Sequence, residues 1–304
     1  MSNKLVSIVI PTFARPDNLC RAIDSVLAQT YSPIEVVVVD DNGIGNPYQV
    51  ETEELLAPYI NEKKVVYLRH ETNKNGSAAR NTGSRSSHGE IIGYLDDDDV
   101  FLPNKVEEQV KRLEEAHSLN KKVAGVYCNI SMKGYSSGPQ QLMSDKEGNL
   151  AEALLLSEIR FNSSTIMLYR YAFDAMNGWD ERFLRQQDWE FCVRFFRNYE
   201  MALACPEGHL LEKFSTPNYN TANPEKIANN MVFFLSEMKE DILKMERGRE
   251  ILKFRYIGVA CMFLRRRQFK KAFSYVRAAN SYQSLRMNDY KVIFKSIIRA
   301  CLVK

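Results

Sequence analysis

Residues 94–103 read YLDDDDVFLP and place four consecutive carboxylates, Asp96 to Asp99, directly after the apolar run EIIGYL. Four neighbouring negative charges repel one another, and a folded interior does not accept them without positive partners. Carboxylate oxygens are the ligands that hard divalent cations such as Mg²⁺ and Mn²⁺ prefer. The cluster is therefore a candidate cation site, and a bound cation would in turn neutralise a diphosphate.

The same four residues also have a purely structural explanation. Asp is favoured at the start of a helix, and an amphipathic helical pattern follows the cluster. We assign Asp99 to a helix cap, and Asp96, Asp97 and Asp98 mostly to ligand binding.

Polar residues close two other apolar runs of the chain. Thr12 and Phe13 end LVSIVIPTF, and Asp40 and Asp41 end IEVVVVDD. A carboxylate in such a place can accept a hydrogen bond from a ribose or a base. If the runs are parallel strands of one sheet, their carboxyl ends lie at the same edge, so these residues should converge with the acidic cluster.

The elements that must position these residues alternate between strand and helix. Helical spacing of apolar residues occurs at 19–29, near 50–60 and at 105–117, and the Gly/Ser/Asn-rich loop 75–89 can begin a helix at its middle. The apolar, β-branched runs predict strands at 5–13, 34–41, 65–70, 90–95 and 122–130. This alternation predicts an α/β fold with a doubly wound, mostly parallel central sheet flanked by helices.

Composition narrows the class of protein. With 304 residues, 45% hydrophobic and 26% charged, the chain can fold as one large domain or as a domain with an appendage. Its six cysteines include no CxxC pair, which argues against a zinc site or a disulfide framework. No apolar run reaches the length of about 18 residues that a membrane span requires, and no basic leader precedes the first strand. We therefore expect a cytoplasmic protein.

The net charge of +3 is unevenly divided. Residues 246–304 carry 15 Lys+Arg against 3 Asp+Glu, which leaves 26 against 35 for residues 1–245. Beyond about residue 215 the pattern is helical, so we predict one domain over 1–215 and a basic, all-helical C-terminal region over 216–304. Such asymmetry indicates an anionic partner for the basic part, such as a membrane surface.

The last segment, DYKVIFKSIIRACLVK (289–304), has the pattern of a basic amphipathic helix. Its basic face carries Lys291, Lys295 and Arg299. Such a helix can lie on an anionic membrane surface, or it can bury its apolar face against the rest of the chain or a second subunit. The charge favours the membrane, and the oligomeric state stays open. The predicted apolar face comprises Tyr290, Ile293, Phe294, Ile297, Ile298 and Cys301.

Three segments in this order resemble a known enzyme family. They are SIVIPTFARPDNLCRAIDSVLAQTYSPIEVVVVDDN (7–42), NKNGSAARNTGSRSSHGEIIGYLDDDDVFLPNKVEEQV (73–110) and NGWDERFLRQQDWEFCVR (177–194). Together they resemble the inverting family 2 glycosyltransferases of bacterial polysaccharide type, over roughly residues 4–200. The resemblance implies the GT-A (Rossmann-like) fold, a nucleotide-sugar donor, a saccharide acceptor and a divalent cation, Mn or Mg.

The resemblance also implies the donor-binding residues. Asp41 matches the carboxylate that contacts the nucleotide base, and Thr12 and Phe13 match the wall of the base pocket. Arg80 occupies a basic position that helps to bind the nucleotide, although by itself it could be an ordinary surface charge.

The acidic cluster matches the DxD motif of this family. Asp96 is expected at the ribose and Asp98 at the cation that bridges the diphosphate. We therefore place Asp96 and Asp97 among the donor-binding residues, and Asp98 and Asp96 among the metal ligands.

Asp188 in QQDWEF matches the position of the general base. One base opposite the leaving group implies displacement with inversion, hence a β-linked product from an α-linked donor. Without the resemblance, Asp188 would more simply cap the helix WEFCVRFFRN. The chain departs from the family at Gln187, where Glu is common, and in LLEKFSTPNYNTAN, where no residue clearly matches a family Arg/His pair. His209 is a candidate for a further ligand there, although a lone His is more often structural.

Weaker assignments concern the acceptor. Asn162, Ser163 and Ser164 precede the strand TIMLYR and could line the acceptor site. Trp179 and Trp189 are core aromatics or platforms on which an acceptor sugar stacks.

The leading hypothesis is a metal-dependent glycosyltransferase that uses a UDP-hexose or UDP-N-acetylhexosamine. Its acceptor would be a saccharide, free or lipid-linked, in cell-surface polysaccharide or glycolipid synthesis, which would place the protein at the inner face of the membrane. One alternative is a nucleotidyltransferase, but no Gly-rich phosphate loop with a Lys follows the first strand. Another is a non-catalytic polyanion-binding protein that uses the basic helices, although we expect no nucleic-acid partner because the acidic cluster would repel phosphates.

Overall fold

The computed structural model describes residues 3–134, 138, 140–160, 162–214 and 223–302. The chain divides into two compact units, one formed by Met1–Leu150 with Ile159–Pro217 and the other by Ala151–Glu158 with Asn218–Lys304. The second unit thus includes a short segment from the middle of the sequence. A domain boundary at residue 215 stays a prediction.

The strands of the chain all lie in the first unit, among the residues that the structure describes. Those within the described residues are β1 (Val6–Thr12), β2 (Ile34–Asp40), β3 (Val66–Arg69), β4 (Ile91–Tyr94), β5 (Asp99–Phe101), β6 (Val123–Cys128), β7 (Ile130–Lys133), β8 (Gln140–Leu142), β9 (Met167–Tyr169), β10 (Glu200–Ala204) and β11 (Leu211–Phe214).

Helices alternate with these strands and then continue alone to the end of the chain. They are α1 (Pro16–Leu27), α2 (Pro47–Asn61), α3 (Gly76–Ser86), α4 (Lys105–Leu119), α5 (Ala151–Leu155), α6 (Arg170–Ala175), α7 (Gln187–Phe195), α8 (Pro224–Glu237), α9 (Lys239–Lys244), α10 (Gly248–Leu264), α11 (Phe269–Tyr282) and α12 (Met287–Leu302).

The large sheet has seven strands in the order β10-β6-β9-β4-β1-β2-β3. β1 pairs in parallel with both β2 and β4, so Thr12 lies beside Asp40 and Val9 beside Tyr94. The carboxyl ends of these strands therefore share one edge, as the sequence predicts. The α/β fold with a mostly parallel sheet is confirmed.

β9 is the exception in the large sheet, because it runs antiparallel to both of its neighbours. Met167, at its start, pairs with Gly93 near the end of β4. The residues that precede β9, including a 3₁₀ turn over Ser163–Thr165, therefore meet the carboxyl ends of the parallel strands. Because β9 is reversed, the segment that precedes it, and not the one that follows it, lies at the edge of the sheet where ligands bind in this fold class.

The apolar runs that form β1, β2, β4 and β6 are largely buried, as expected for strands covered by helices on both faces, whereas β3 at the sheet edge is partly exposed. α3 lies unusually close to this sheet, because a Cβ atom at Gly83 would come within 2.4 Å of a Val9 methyl group. α3 begins at Gly76, earlier than predicted, because the side chain of Asn75 accepts hydrogen bonds from Ser77 N and Ala78 N. These contacts hold α3 and its Arg80 against the edge of the sheet where the parallel strands end.

The predicted strand 122–130 is two strands in the structure. β6 belongs to the large sheet, whereas β7 belongs to a four-stranded sheet in the order β5-β11-β7-β8. The chain leaves the first sheet at Asn129, whose side-chain oxygen accepts from Ser144 N and whose carbonyl accepts from Leu210 N. The small sheet carries Asp99 on β5 opposite Lys213 on β11.

The second unit is helical. α10 is its central helix and contacts α5, α8, α9, α11 and α12. The helical segment that begins at Pro224 is divided at Met238 into α8 and α9. Among the described residues, no helix combines the length and the apolar character that crossing a bilayer requires.

Candidate functional site

The acidic cluster follows β4 and is largely buried. Asp97 accepts a hydrogen bond from Thr12 Oγ1 at 2.9 Å, and its other oxygen lies 3.2 Å from Arg15 Nη1. The same Arg15 nitrogen donates to Asp98 Oδ2 at 2.6 Å. Arg15 therefore joins two of the four carboxylates, and it comes from the loop that follows β1.

Asp96 faces a second arginine. Arg80 Nη2 donates to Asp96 Oδ1 at 2.7 Å, and Ser163 Oγ donates to the same oxygen at 3.0 Å. The Asp96 backbone N–H donates to Ser164 Oγ at 3.0 Å. Two serines considered for the acceptor site thus contact the carboxylate cluster itself.

Asp99 is not a helix cap, which corrects the assignment made from the sequence. It is the first residue of β5, whereas α4 begins at Lys105 after Asn104. Its fully buried carboxylate accepts from Ser164 Oγ at 2.7 Å and lies 3.1 Å from Lys213 Nζ at both oxygens. The strand pairing with β11 aligns Asp99 with Lys213, and this contact between distant residues outweighs the local preference for a cap.

The pKa values of Asp96, Asp97 and Asp99 differ because the surroundings of these carboxylates differ. Burial would raise the pKa of Asp96, but the charges of Arg80 and Lys213 lower this pKa to about 2. Burial raises the pKa of Asp97 to about 7 against the opposing charge of Arg15. Burial likewise raises the pKa of Asp99 to about 7. Asp97 and Asp99 therefore retain protons more readily than ordinary carboxyl groups, whereas Asp96 is ionised, and a cation placed beside Asp99 would displace its proton.

Three of these carboxylates could hold one metal ion. Asp96, Asp98 and Asp99 each offer an oxygen, and the three oxygens lie within 4.8 Å of one another. Hard oxygen donors in this number fit Mg²⁺ or Mn²⁺. The structure thus brings Asp96 and Asp98 together as predicted and adds Asp99, which sequence reasoning had assigned elsewhere. Among the residues described, His209 does not belong to this group.

Asp188 lies in the first turn of α7. Its Oδ1 accepts a hydrogen bond from the Ser163 backbone N–H at 3.2 Å. The helix begins at Gln187 after Gln186, and no side chain caps its start, so the cap explanation for Asp188 is wrong. Burial raises the pKa of Asp188, Arg80 opposes this shift, and Asp96 adds to it. A half-buried carboxyl with a raised pKa is suited to accept a proton.

Ser163 connects the two ends of the site. Its backbone N–H donates to Asp188, and its hydroxyl donates to Asp96. Arg80 Nη2 also donates to this hydroxyl at 3.0 Å. Asp96 and Asp188 are thus both held by a single residue of the 3₁₀ turn.

Arg80 is buried and is not an ordinary surface charge. Besides its contacts to Asp96 and Ser163, its Nη1 donates to Gln187 Oε1 at 3.1 Å, and its guanidinium lies 5.0 Å from the centre of the Trp179 ring. Gln187 is neutral, so the charge of Arg80 is left to balance Asp96 and Asp188. Trp179 is itself buried and stacks on Phe191, which identifies it as a core aromatic.

Asp41 is buried at the end of β2 and organises a loop. Its Oδ1 accepts from His70 Nδ1 and from Lys74 N, and its Oδ2 accepts from Asn73 Nδ2 and from Asn75 N. Four donors occupy the carboxylate within the chain. The role of Asp41 at a nucleotide base stays a prediction, and in the structure its contacts fix the loop that leads into α3.

We expect Asp41→Ala to destabilise the protein, because the N–H groups of Lys74 and Asn75 lose their acceptor. An unsatisfied buried donor costs about 1–3 kcal/mol, but Lys74 is exposed and Asn75 is half-buried, so the loss should be about 1–2 kcal/mol for the two together. Urea unfolding of this variant and of Asp174→Ala, an exposed residue of α6, measures the difference. A loss no larger than that of the control would contradict the anchoring role.

Thr12 and Phe13 lie at the carboxyl end of β1, as predicted. Thr12 is buried and its hydroxyl is engaged with Asp97, whereas the side chain of Phe13 is 44% exposed. Asn42 lies nearby, because its Oδ1 accepts from Ala14 N at 2.7 Å. Its buried Nδ2 has no hydrogen-bond partner among the described residues. An exposed ring beside an unused amide donor is suited to a planar heterocycle.

Sequence reasoning missed Arg15 and Lys213. Lys213 lies in the segment LLEKFSTPNYNTAN, part of which (215–222) falls outside the described residues. The available signal was the alternation of LEKF on a strand, which places Leu211 and Lys213 on the same face. For Arg15, the signal was its place at the carboxyl end of a parallel strand.

Curated relatives are similar in sequence to this chain over most of its length. An uncharacterized glycosyltransferase of Rickettsia prowazekii, RP339, is 28% identical over 302 residues, which cover 95% of this chain and 86% of that protein. A relative in Rickettsia bellii, also named as an uncharacterized glycosyltransferase, is 28% identical, but the chain spans only 41% of its length. The amylovoran biosynthesis glycosyltransferase AmsB of Erwinia amylovora is 24% identical over 249 residues, 79% of each chain.

Solved structures share the fold. S. aureus TarS 1-349 in complex with UDP-GlcNAc has a TM-score of 0.60 at 17% identity and covers 97% of this chain and 81% of its own. The mannosyltransferase PcManGT of Pyrobaculum calidifontis, in complex with GDP-Man and Mn²⁺, has a TM-score of 0.60 at 14% identity, over 99% and 87% of the two chains. Both are GT-A glycosyltransferases, so the predicted GT-A fold is confirmed.

The family itself is recognised from the sequence of the catalytic segment. The model described as "Glycosyl transferase family 2" matches residues 7–175, which is more than half of the chain and includes Arg15, Arg80 and the whole acidic cluster. The chain therefore belongs to glycosyl transferase family 2 and carries its GT-A fold.

Proposed function

We propose that the protein transfers a sugar from a nucleotide-sugar donor to a saccharide acceptor with inversion, and that it requires a divalent cation. The observation that carries this proposal is the contact of Ser163 with both Asp96 and Asp188. Asp96, which we propose as a cation ligand, and Asp188, which has a raised pKa and which we propose as the base, are thereby both held by one residue, which supports a displacement at a sugar carbon.

The donor side must stabilise negative charge on a departing diphosphate. A cation held by Asp96, Asp98 and Asp99 would act as a Lewis acid toward the phosphate oxygens. Arg15 and Lys213 already contact these carboxylates, at 2.6 Å from Asp98 and 3.1 Å from Asp99. When another cation neutralises the carboxylates, the two side chains become available to the diphosphate, and their charges remain where leaving-group charge develops.

The acceptor side must remove a proton from a hydroxyl group. We assign this role to Asp188, oriented by the Ser163 N–H on one oxygen. Arg80 keeps the carboxylate ionised by lowering its pKa against the effect of burial. Transfer from an α-linked donor by one direct displacement then gives a β-linked product, since no second nucleophile intervenes.

The nucleotide would bind at the ends of β1 and β2. We assign Phe13 to the wall of the base pocket, and the free amide N–H of Asn42 would donate to the base. Asp41 would anchor the neighbouring loop. Thr12 and Asp97 shape the floor of this pocket through their mutual hydrogen bond. Asp96 would contact the ribose as well as the cation.

The donor and the acceptor are proposed by analogy. UDP-GlcNAc in TarS and GDP-Man in PcManGT support a nucleotide sugar, with UDP-hexose or UDP-N-acetylhexosamine as the first candidates. The name of AmsB supports synthesis of a cell-surface polysaccharide or glycolipid, with a free or lipid-linked saccharide as acceptor. We place this reaction on the cytoplasmic side, with residues 246–304 directed to the inner face of the membrane.

Membership of family 2 favours this function over a nucleotidyltransferase. The remaining alternative, a non-catalytic polyanion-binding protein, predicts that polyanions bind and that sugar nucleotides do not.

The deciding experiment is a panel of nucleotide sugars with and without Mn²⁺, read first by thermal shift and then by release of the nucleoside diphosphate. We expect one donor to raise the melting temperature only with metal, and Asp98→Asn to abolish the shift. Asp174→Asn, at an exposed site on α6, controls for the loss of one carboxylate. If no donor shifts the wild-type melting temperature with metal present, the proposal fails and the polyanion-binding alternative gains.

A further inference from the structure

α12 exposes two parallel stripes of opposite character. Tyr290, Phe294 and Ile298, which are 55%, 62% and 40% exposed, follow one another at every fourth residue. A second set with the same spacing, shifted by one residue, is fully basic and exposed: Lys291, Lys295 and Arg299. Residues four apart lie on one side of a helix, so an apolar stripe and a basic stripe run side by side along α12.

The opposite side of α12 is anchored in the second unit. Ile293, Ser296 and Ala300 are buried on this inner side. Lys253 of α10 lies 3.2 Å from Asp289, and Arg267 Nε donates to the carbonyl of Ala300 at 3.1 Å. These contacts at both ends fix which side of the helix faces outward.

The structure separates a set of apolar residues that the sequence pattern had placed on a single face. Ile293 and Ile297 face inward and supply the packing, whereas Tyr290, Phe294 and Ile298 remain outside. α12 can therefore both pack against the second unit and bind another surface, because it has separate apolar residues for each contact. A continuous row of exposed apolar side chains on a secured helix is typical of an interaction surface.

We propose that this outer face of α12 binds the surface of an anionic bilayer. The three apolar side chains would enter the boundary between headgroups and acyl chains, and the three cations beside them would contact anionic headgroups. Between residues 290 and 300 the helix carries no acidic residue, so nothing on this face repels such a surface. The net charge of +12 over 246–304, from 15 Lys+Arg and 3 Asp+Glu, favours approach from a distance.

A second copy of the chain fits this face less well. A two-fold pairing of α12 with itself would bury the apolar stripes together, but it would also bring two rows of three like charges close to one another. Like charges in contact weaken a helix pair. A polyanion alone would use the basic stripe and leave the aromatic rings in water. Only a surface that is both apolar and anionic satisfies both stripes.

The test uses the 304-residue chain and sedimentation with lipid vesicles. Vesicles contain phosphatidylcholine alone or with about one-third phosphatidylglycerol, at low salt and at about 0.5 M salt. One variant replaces the basic stripe (Lys291→Gln, Lys295→Gln, Arg299→Gln), and another replaces the apolar stripe (Tyr290→Gln, Phe294→Gln, Ile298→Gln). Gln preserves helix propensity, and circular dichroism checks the fold.

Control substitutions come from exposed positions of α4 and of the turn after it. Lys111→Gln, Lys121→Gln and Lys122→Gln remove the same charge, and Leu119→Gln removes an apolar side chain that is 87% exposed. We expect wild type and controls to bind anionic vesicles only. Loss of the basic stripe should weaken this binding about 100-fold, since each cation near the surface contributes about five-fold.

Two results would overturn the inference. The first is that the wild-type protein does not sediment with anionic vesicles, or that both stripe variants sediment with them as well as the wild type does. The other is a dimer in light scattering that the apolar-stripe variant dissociates, which would make a second copy the occupant. Because α12 contributes no residue to the proposed active site, sugar transfer to a soluble acceptor should be unchanged in both variants. Failure of the membrane surface is thus distinguishable from failure of the proposed enzyme.

Discussion

Asp188→Asn is expected to lower kcat by about 10²- to 10⁴-fold, which is the usual contribution of a positioned general base. Asn keeps the shape of the side chain and can still accept from the Ser163 N–H, so α7 and the turn before β9 should not move. The amide cannot accept the proton of the acceptor hydroxyl. Binding of the donor and metal should therefore remain, which isothermal titration of the nucleotide sugar with Mn²⁺ would verify.

The pH dependence of the wild type gives an independent check. Burial raises the pKa of Asp188, and the base acts only when ionised. The rate should therefore fall as the pH decreases through a value above about 3.9, the ordinary pKa of Asp. Protonation of Asp97 and Asp99 would add a loss of its own at low pH, so the two profiles are compared at saturating Mn²⁺ and donor, where the limb due to Asp188 should be missing from the residual activity of Asp188→Asn. If the variant retains a rate within a few-fold of wild type, Asp188 is not the base.

Arg80→Met is expected to destabilise the protein by about 3 kcal/mol, because removing one partner of a buried ion pair leaves the other charge with less compensation. The effect should lie at the low end of the usual range, since Lys213 still lies 3.9 Å from Asp96. The guanidinium lies 2.7 Å from Asp96 and also lowers the pKa of Asp188. Without it, the pKa of Asp188 rises further, so the acidic limb of the rate profile should move to higher pH.

The stability difference should itself depend on pH. In the wild type, the pKa of Asp96 is lowered to about 2, mainly by Arg80 acting against burial. A lowered carboxyl pKa contributes stability above its unfolded pKa of about 3.9, and this contribution is lost as the pH falls toward the folded pKa. The deficit of Arg80→Met should therefore shrink as the pH is lowered from 7 to below about 4.

The control for Arg80 is on the same helix. Arg85→Met removes an exposed guanidinium that donates to the carbonyl of Asn177 at 3.3 Å, and it should change stability by less than about 0.5 kcal/mol. Equal urea midpoints for the two variants would show that Arg80 is no more than a surface charge.

Much of this fold could be predicted because it depends on the pattern of apolar and polar residues within short segments of the sequence. Apolar β-branched runs identify buried parallel strands, and parallel strands place their carboxyl ends together. Thr12, Asp41 and Asp96 could therefore be placed at one edge from the sequence alone. The resemblance of QQDWEF to a family motif then predicted that Asp188 belongs to the same site. These inferences depend on spacing of a few residues, which a single sequence shows.

The remainder depends on pairings that a linear pattern does not contain. Asp99 looks like a helix cap until β5 pairs with β11 and brings Lys213 to it. Ser163 has no catalytic signature, and its position depends on the reversed direction of β9. The two outward stripes of α12 likewise could not be separated from its packing side, because apolar residues for both purposes share one amphipathic pattern.

The reversed strand β9 has a consequence for how the site comes into being during folding. It inserts between β4 and β6 and brings Ser163 to Asp96 across 67 residues of sequence, while Arg15 reaches Asp98 across 83 and Lys213 reaches Asp99 across 114. Contacts at such separations form only after long loops have closed. No short fragment of the chain can therefore assemble this site, and in refolding experiments the capacity to bind metal and nucleotide should appear with the last phase of sheet closure.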